Sequence, residues 1–293
     1  MKPFFKALAL FLSLCLCLPL VFSCGEETPS PSGSSTLDIP DTEDEAESFE
    51  NLSEQEKAFY ILKSSYDTER VRIDTTASIC YSYSGYDINA SLVGFTTEID
   101  DGNGYILYSQ ETVTMTLMGY TQISTVTGGY RDGREFERVQ NNGVGDGYYA
   151  EISEEDFITK RKEQLESGPA DDFGLTYNNC QAITCVKDSQ GNWIATFTDI
   201  SDEGLIEFRK FISQSFSTII DANTLTNVTL ELCVTEDLKP LSLIIDFTFS
   251  DSDTALFIES EYTIGADVAT PKIDIDGYIK KSSLDSDAPI GGM

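Results

Sequence analysis

The 293-residue sequence predicts an α+β protein, mostly antiparallel β, built as a curved sheet of about ten strands with helices packed on one side. Three observations predict it. Apolar residues recur at every second position over several long stretches, the period of a strand with one buried face. Turn signals such as Asn103-Gly104 and Asp132-Gly133 join successive stretches directly, so neighbours pair as hairpins. Helical spacing shows in only three segments.

In chain order, Ser53-x-x-Glu56 is a capping box, opening a helix with the apolar stripe Ala58, Phe59, Ile61, Leu62 and Tyr66. The period then changes to two. Val71, Ile73, Thr75, Ala77, Ile79, Tyr81 and Tyr83 share one strand face; Arg72, Asp74, Thr76, Ser78 and Cys80 share the other. Gly85 turns the chain into a strand from Asp87 to Ile99. Strands follow over Tyr105–Leu117 and Tyr120–Tyr130, and from Asp132-Gly133 through Val139. A short helix starts at Ser153 and stops before Gly168-Pro169. Cys180–Val186 and Trp193–Ile200 read as a hairpin. Residues 202–220 are the strongest helix, with Leu205, Phe208, Ile212, Phe216 and Ile219 at helical spacing. Three alternating strands follow: Val228 to Val234, Leu241 to Phe249 and Leu256 to Tyr262. Pro271–Tyr278 is expected as a final edge strand and 281–293 as a flexible tail. With no internal repeat and no shift in composition, residues 53–280 form one domain.

The first 23 residues read as a signal peptide. Lys2 and Lys6 precede an apolar run from Ala7 to Phe22, short for a membrane span. Val21-Phe22-Ser23-Cys24 resembles the lipobox of bacterial lipoproteins, which implies cleavage before Cys24 and lipidation of its thiol. Ser23 and Val21 fit that pattern; Phe22 departs from its usual small residue. Residues 24–52 then read as a lipidated cysteine and an acidic disordered linker. They carry nine acids, no base and a Pro-Ser-Gly-rich stretch, and reach about 30 Å before charge repulsion extends them. The expected location is extracytoplasmic, tethered to a membrane through Cys24.

Composition excludes several chemistries. The chain has no histidine, which removes Ser-His-Asp and Cys-His nucleophiles and histidine-ligated metals. A net charge of −31 argues against nucleic acid. Paired carboxylates could still support glycoside hydrolysis, but 50 acids guarantee accidental pairs. Asp100-Asp101-Gly102-Asn103-Gly104 and Asp274-x-Asp276-Gly277 lack the full calcium-loop ligand series and read as turns. No metal or cofactor is expected. Lys160-Arg161-Lys162 is the densest basic cluster; it reads as a cationic helix end, with anionic headgroups as the competing partner. Besides Cys24, the exported domain has Cys80, Cys180, Cys185 and Cys233. On one straight strand, Cys180 and Cys185 would take opposite faces and not bridge. A Cys80–Cys233 pair across the sheet and reduced thiols both stay open. Three Asn-x-Ser/Thr acceptors (Asn51, Asn89, Asn227) carry little weight beside a bacterial export signal.

Tyr130-Arg131-Asp132-Gly133-Arg134-Glu135-Phe136 followed by Tyr149–Phe157 resembles the middle of LolA/LppX-like bacterial lipoproteins. Val228–Val234, the turn Glu236-Asp237-Leu238-Lys239-Pro240 and Leu241–Phe249 are similar to their later strand–turn–strand unit. Tyr262-Thr263-Ile264-Gly265, Pro271 and Gly277-Tyr278 are similar to their closing strands. The resemblance implies a half-barrel sheet covered by helices, in some members around lipid acyl chains. On that footing, Leu205, Phe208, Ile212, Phe216 and Ile219 are the candidate lining of a ligand cavity, and core filling is their alternative role. The expected function is a membrane-anchored, non-enzymatic lipoprotein that binds an apolar or amphipathic ligand such as lipid. The rivals are an envelope protein-interaction or sensory module without a cavity, and a carboxylate-based hydrolase.

Overall fold

The structure is a computed structural model that describes residues 49–284 apart from 65–68, 84–85, 101, 118, 167–171, 217–219 and 252. The signal segment, Cys24, the linker up to residue 48, Tyr66, Gly168-Pro169, Ile219 and the tail from 285 lie outside the described residues.

The elements are α1 (Glu54–Lys63), β1 (Arg70–Tyr83), β2 (Tyr86–Asp100), β3 (Tyr105–Leu117), β4 (Tyr120–Arg131), β5 (Arg134–Asn141), β6 (Gly147–Glu151) and α2 (Glu154–Glu166). There follow β7 (Cys180–Lys187), β8 (Trp193–Ile200), α3 (Ile206–Phe216), β9 (Leu225–Val234), β10 (Pro240–Phe249), β11 (Ala255–Ile264) and β12 (Ile279–Lys280). The strands form one 12-stranded sheet in the order β12-β6-β5-β4-β3-β2-β1-β11-β10-β9-β8-β7. Every pairing is antiparallel except β12 on β6. The sheet does not close, and it curves as a half-barrel around one face.

Alternation sets that face. Ile73, Thr75, Ala77 and Ile79 of β1 are buried while Thr76, Ser78 and Cys80 are exposed. The register carries the same phase across the sheet, from Ala77 to Leu92, Val113 and Ser124 on one side and to Ile258, Ile245 and Leu230 on the other. Among the described residues, α1, α2 and α3 lie on it. The capping box of α1 is complete: Glu56 N–H donates to Ser53 Oγ at 3.3 Å and Ser53 N–H donates to Glu56 Oε2 at 2.8 Å. From α1, Phe59 packs edge-on to Phe197 of β8. From α3, Phe208 and Phe211 meet Phe247 of β10. From α2, Phe157 stacks on Tyr130 of β4 at 4.6 Å.

Several boundaries differ from the sequence reading. Packing reaches upstream of Ser53 at least to Phe49: its buried ring meets Tyr60 and Trp193, and Glu50 pairs with Lys57 and Lys187. The strong helix starts at Ile206, because 202–205 form a turn that buries Leu205 before the helix begins. Residues 271–278 are not a strand. They cross the outer face, where Arg131 donates to Pro271 O and the Tyr278 ring seats over Gly147, and only Ile279–Lys280 pair with β6. The described start of the tail is held too, with Leu284 buried and its carbonyl accepting from Lys160 Nζ. Asp132-Gly133 is a tight two-residue hairpin, with φ of 52° and 75°. In the Asn103-Gly104 turn, the positive φ values fall on Gly102 and Gly104 instead of on Asn103 and Gly104.

Candidate functional site

The concave face carries two apolar clusters. The larger spans the sheet and takes in α1, α3 and the inner faces of β1–β4 and β7–β11. The smaller joins Tyr105, Leu107, Tyr130 and Phe157 at the far end of β3 and β4. Leu205, Phe208, Ile212 and Phe216 all belong to the larger cluster and are at most 1% exposed. Phe208 stacks on Phe173 with ring centres 4.4 Å apart and planes 4° from parallel, and meets Phe247 edge-on at 6.2 Å. Phe211, absent from the predicted set, stacks on Phe247 and is equally part of this aromatic packing.

A polar band runs between the clusters along β3, where the inward phase reads Tyr105, Leu107, Ser109, Glu111, Val113, Met115. Across the neighbouring strands, the row through Glu111 reads Val126, Glu111, Gly94, Thr75, Ser260, Leu243. Thr75 and Ser260 hydrogen-bond each other at 3.1 Å, and Ser109 Oγ donates to Gly128 O. Glu111 is 3% exposed and its Oε2 has no hydrogen-bond partner; the buried Ser124 Oγ, diagonal to it on β4, has none either. Loss of hydration alone pushes the Glu111 carboxyl up to about 8, so it is mostly protonated at neutral pH. Its room comes from β2: a Cβ on Gly94 would stand 2.7 Å from Glu111 Cγ. The sequence reading missed Glu111, although a glutamate in the apolar phase of a strand is a legible signal.

The other acids on this face near α2 are neutralised. Glu98 accepts from Tyr105 O–H at 2.6 Å and pairs with Arg161, and Glu135 pairs with Lys160 at 2.8 Å. Lys160 and Arg161 therefore clamp α2 to the sheet instead of capping its C-terminal end, and these two charges turn inward. Glu154, in the first turn of α2, accepts from the Tyr105 N–H. Asp274 accepts from the Asp276 N–H at 2.9 Å, the geometry of a turn.

All four described cysteines are free thiols. Cys180 and Cys185 are both buried in the larger cluster, so the opposite-face expectation fails. Cys180 sits at the first position of β7, opposite Ile200 and beside Asp199, whose φ is 54°, and there the regular alternation breaks. Cys80 and Cys233 cannot bridge, because β11 and β10 lie between their strands. Burial raises the Cys180 and Cys185 thiols to about 11. Under native conditions at pH 8 a thiol-reactive disulfide should modify exposed Cys80 rapidly and these two only on unfolding. Equal rates at all three would contradict this packing.

No protein-family model matches the chain, and no curated protein matches it. The resemblance of residues 53–280 to LolA/LppX-like lipoproteins therefore lacks family support. Among solved structures, the chain is similar to a beta-barrel-like protein of the domain of unknown function DUF1849 from Brucella abortus, at 10% identity. The match covers 68% of this chain and 98% of that one, with a TM-score of 0.18. A likeness at that score says nothing about what this chain binds.

Proposed function

We propose that this chain is a membrane-anchored extracytoplasmic lipoprotein, non-enzymatic, that holds an amphipathic ligand on the concave face of its half-barrel. One observation carries the ligand reading. An apolar face is interrupted by a buried band in which Glu111 Oε2 and Ser124 Oγ have no hydrogen-bond partner among the described residues. Unpaired buried polar atoms are costly, at about 1–3 kcal/mol each, and a ligand's polar head would satisfy them. The helix contacts fall on either side: α1 and α3 on β8 and β10, α2 on the Tyr105 end of β2–β5. The inner faces of β1–β3 add Ile79, Leu92, Val113 and Met115, all buried in the same cluster as α1 and α3. A ligand would enter by parting a helix from the sheet, so binding should raise the thermal midpoint. Mass spectrometry of molecules retained by the purified chain tests the reading: a stoichiometric long-chain molecule supports it.

The anchor rests on the lipobox-like Val21-Phe22-Ser23-Cys24. Metabolic labelling with a clickable fatty acid should mark the wild type and not Cys24→Ser. Equal labelling of both would overturn the assignment.

The protein-interaction reading draws on a different observation. Val93 and Ile123 are 61% and 44% exposed on the outer face, beside the threonine pairs Thr112–Thr125 and Thr116–Thr121. Retention of a partner protein that Val93→Glu releases, with no small molecule bound, would favour it.

A further inference from the structure

We propose that Glu111 anchors the ammonium head of a long-chain amine whose tail lies on the concave face, an assignment that rests on the ligand-binding reading above.

By register, the inward positions of β1–β5 and β11 carry Glu98, Asp100, Glu111, Glu135 and Glu137, and no lysine or arginine. Glu98, Glu135 and Glu137 take their cations from Arg161, Lys160 and Lys281, and Asp100 is exposed at the end of its strand. Glu111 is the deeply buried acid among the five, and none of these bases reaches it. Among the described residues no base pairs with Glu111, so a ligand's cation would meet an acid that has no counter-ion of its own.

Around Glu111 the neighbours are Ser124, with an unpartnered Oγ, Ser109, whose hydroxyl proton is spent on Gly128 O, and the Thr75–Ser260 pair. Once the carboxyl ionises the band is rich in lone pairs, and an ammonium brings three donors and no acceptor. The Glu111 stem packs directly over Gly94, where a Cβ would stand 2.7 Å from its Cγ. A net charge of −31 draws cationic head groups in and repels carboxylate or phosphate heads.

The proton balance follows. Glu111 holds its proton at neutral pH because it is desolvated. When the ammonium docks, the carboxyl ionises, and one proton leaves to solvent for each amine bound.

Calorimetric titration of the full chain at pH 7 with dodecylammonium, dodecanol and dodecanoate, each in phosphate and in Tris, tests this. The expected result is binding of the amine at least about tenfold tighter than the alcohol, the size of one charge-assisted contact. Close to one proton should be released, read from the difference in heat between the buffers. Glu111→Gln should keep the alcohol's affinity and lose both the amine preference and the proton. Ser124→Ala, which leaves the carboxyl intact, should weaken the amine and still release the proton. Equal affinity for amine and alcohol with no proton release, or a Gln variant that keeps the preference, would overturn the Glu111 assignment and leave the ligand-binding reading standing. Failure of all three probes to bind the wild type would remove that reading and this inference together.

Discussion

Between pH 5 and pH 9 the wild-type chain should lose about 4 kcal/mol of folding stability that Glu111→Gln retains. The carboxyl titrates at an ordinary 4.5 when unfolded and at about 8 when folded. Between those values the folded state holds a proton that the unfolded state has released. Stability from this group is therefore fully present below pH 4.5, falls as pH rises toward 8, and is flat above that. Glutamine keeps the shape and never ionises, so the difference between the two urea-unfolding series isolates Glu111 from the many exposed acids. Parallel series for wild type and variant would mean that the carboxyl is hydrated or paired in the folded protein. The same comparison bears on ligand binding, because an occupied ammonium site would flatten the wild-type curve.

Phe208→Ala should cost about 3–5 kcal/mol, the range for removing a fully buried aromatic ring. Phe208 has no exposed surface, and its ring is sandwiched by contacts to Phe173 and Phe247. Phe173 adopts a φ of 50°, an uncommon backbone state for a side chain of that size, and stacking on Phe208 helps hold it. Loss of the ring leaves a cavity and an unsupported turn together. A fall of less than about 1 kcal/mol in chemical denaturation would show that the site is slack and that its neighbours refill it.

Much of the fold was legible because the strands obey their period. The alternation of Ile73–Ile79, Val228–Val234 and Leu256–Tyr262 in the sequence is the alternation of burial in the structure. The capping box at Ser53 and the Asp132-Gly133 hairpin are local chemistry and were equally readable. What escaped was decided at longer range. Gly147–Glu151 has no alternation and becomes a strand because β5 offers it an edge. Residues 271–278 look strand-like, yet their place on the outer face is fixed by Arg131, from far back in the sequence, and by the space over Gly147. Cys180 faces inward because the chain departs from regular pleating where β7 begins, which no spacing rule reports. For the candidate site, the helix stripe was readable, and its described members Leu205, Phe208, Ile212 and Phe216 are buried in the larger cluster. Glu111 was readable as an acid in an apolar phase, but its isolation depends on Gly94, Thr75 and Ser260 arriving from other strands.

A ligand lying along the inner face of β1–β4 is tested most directly with a photo-crosslinkable long-chain amine. Saturable labelling should fall on inward positions such as Ile79, Leu92, Val113 and Met115, skip the residues between them, and be competed by unlabelled dodecylammonium. Labelling of outward residues such as Phe95 and Tyr108, or labelling that never saturates, would contradict it.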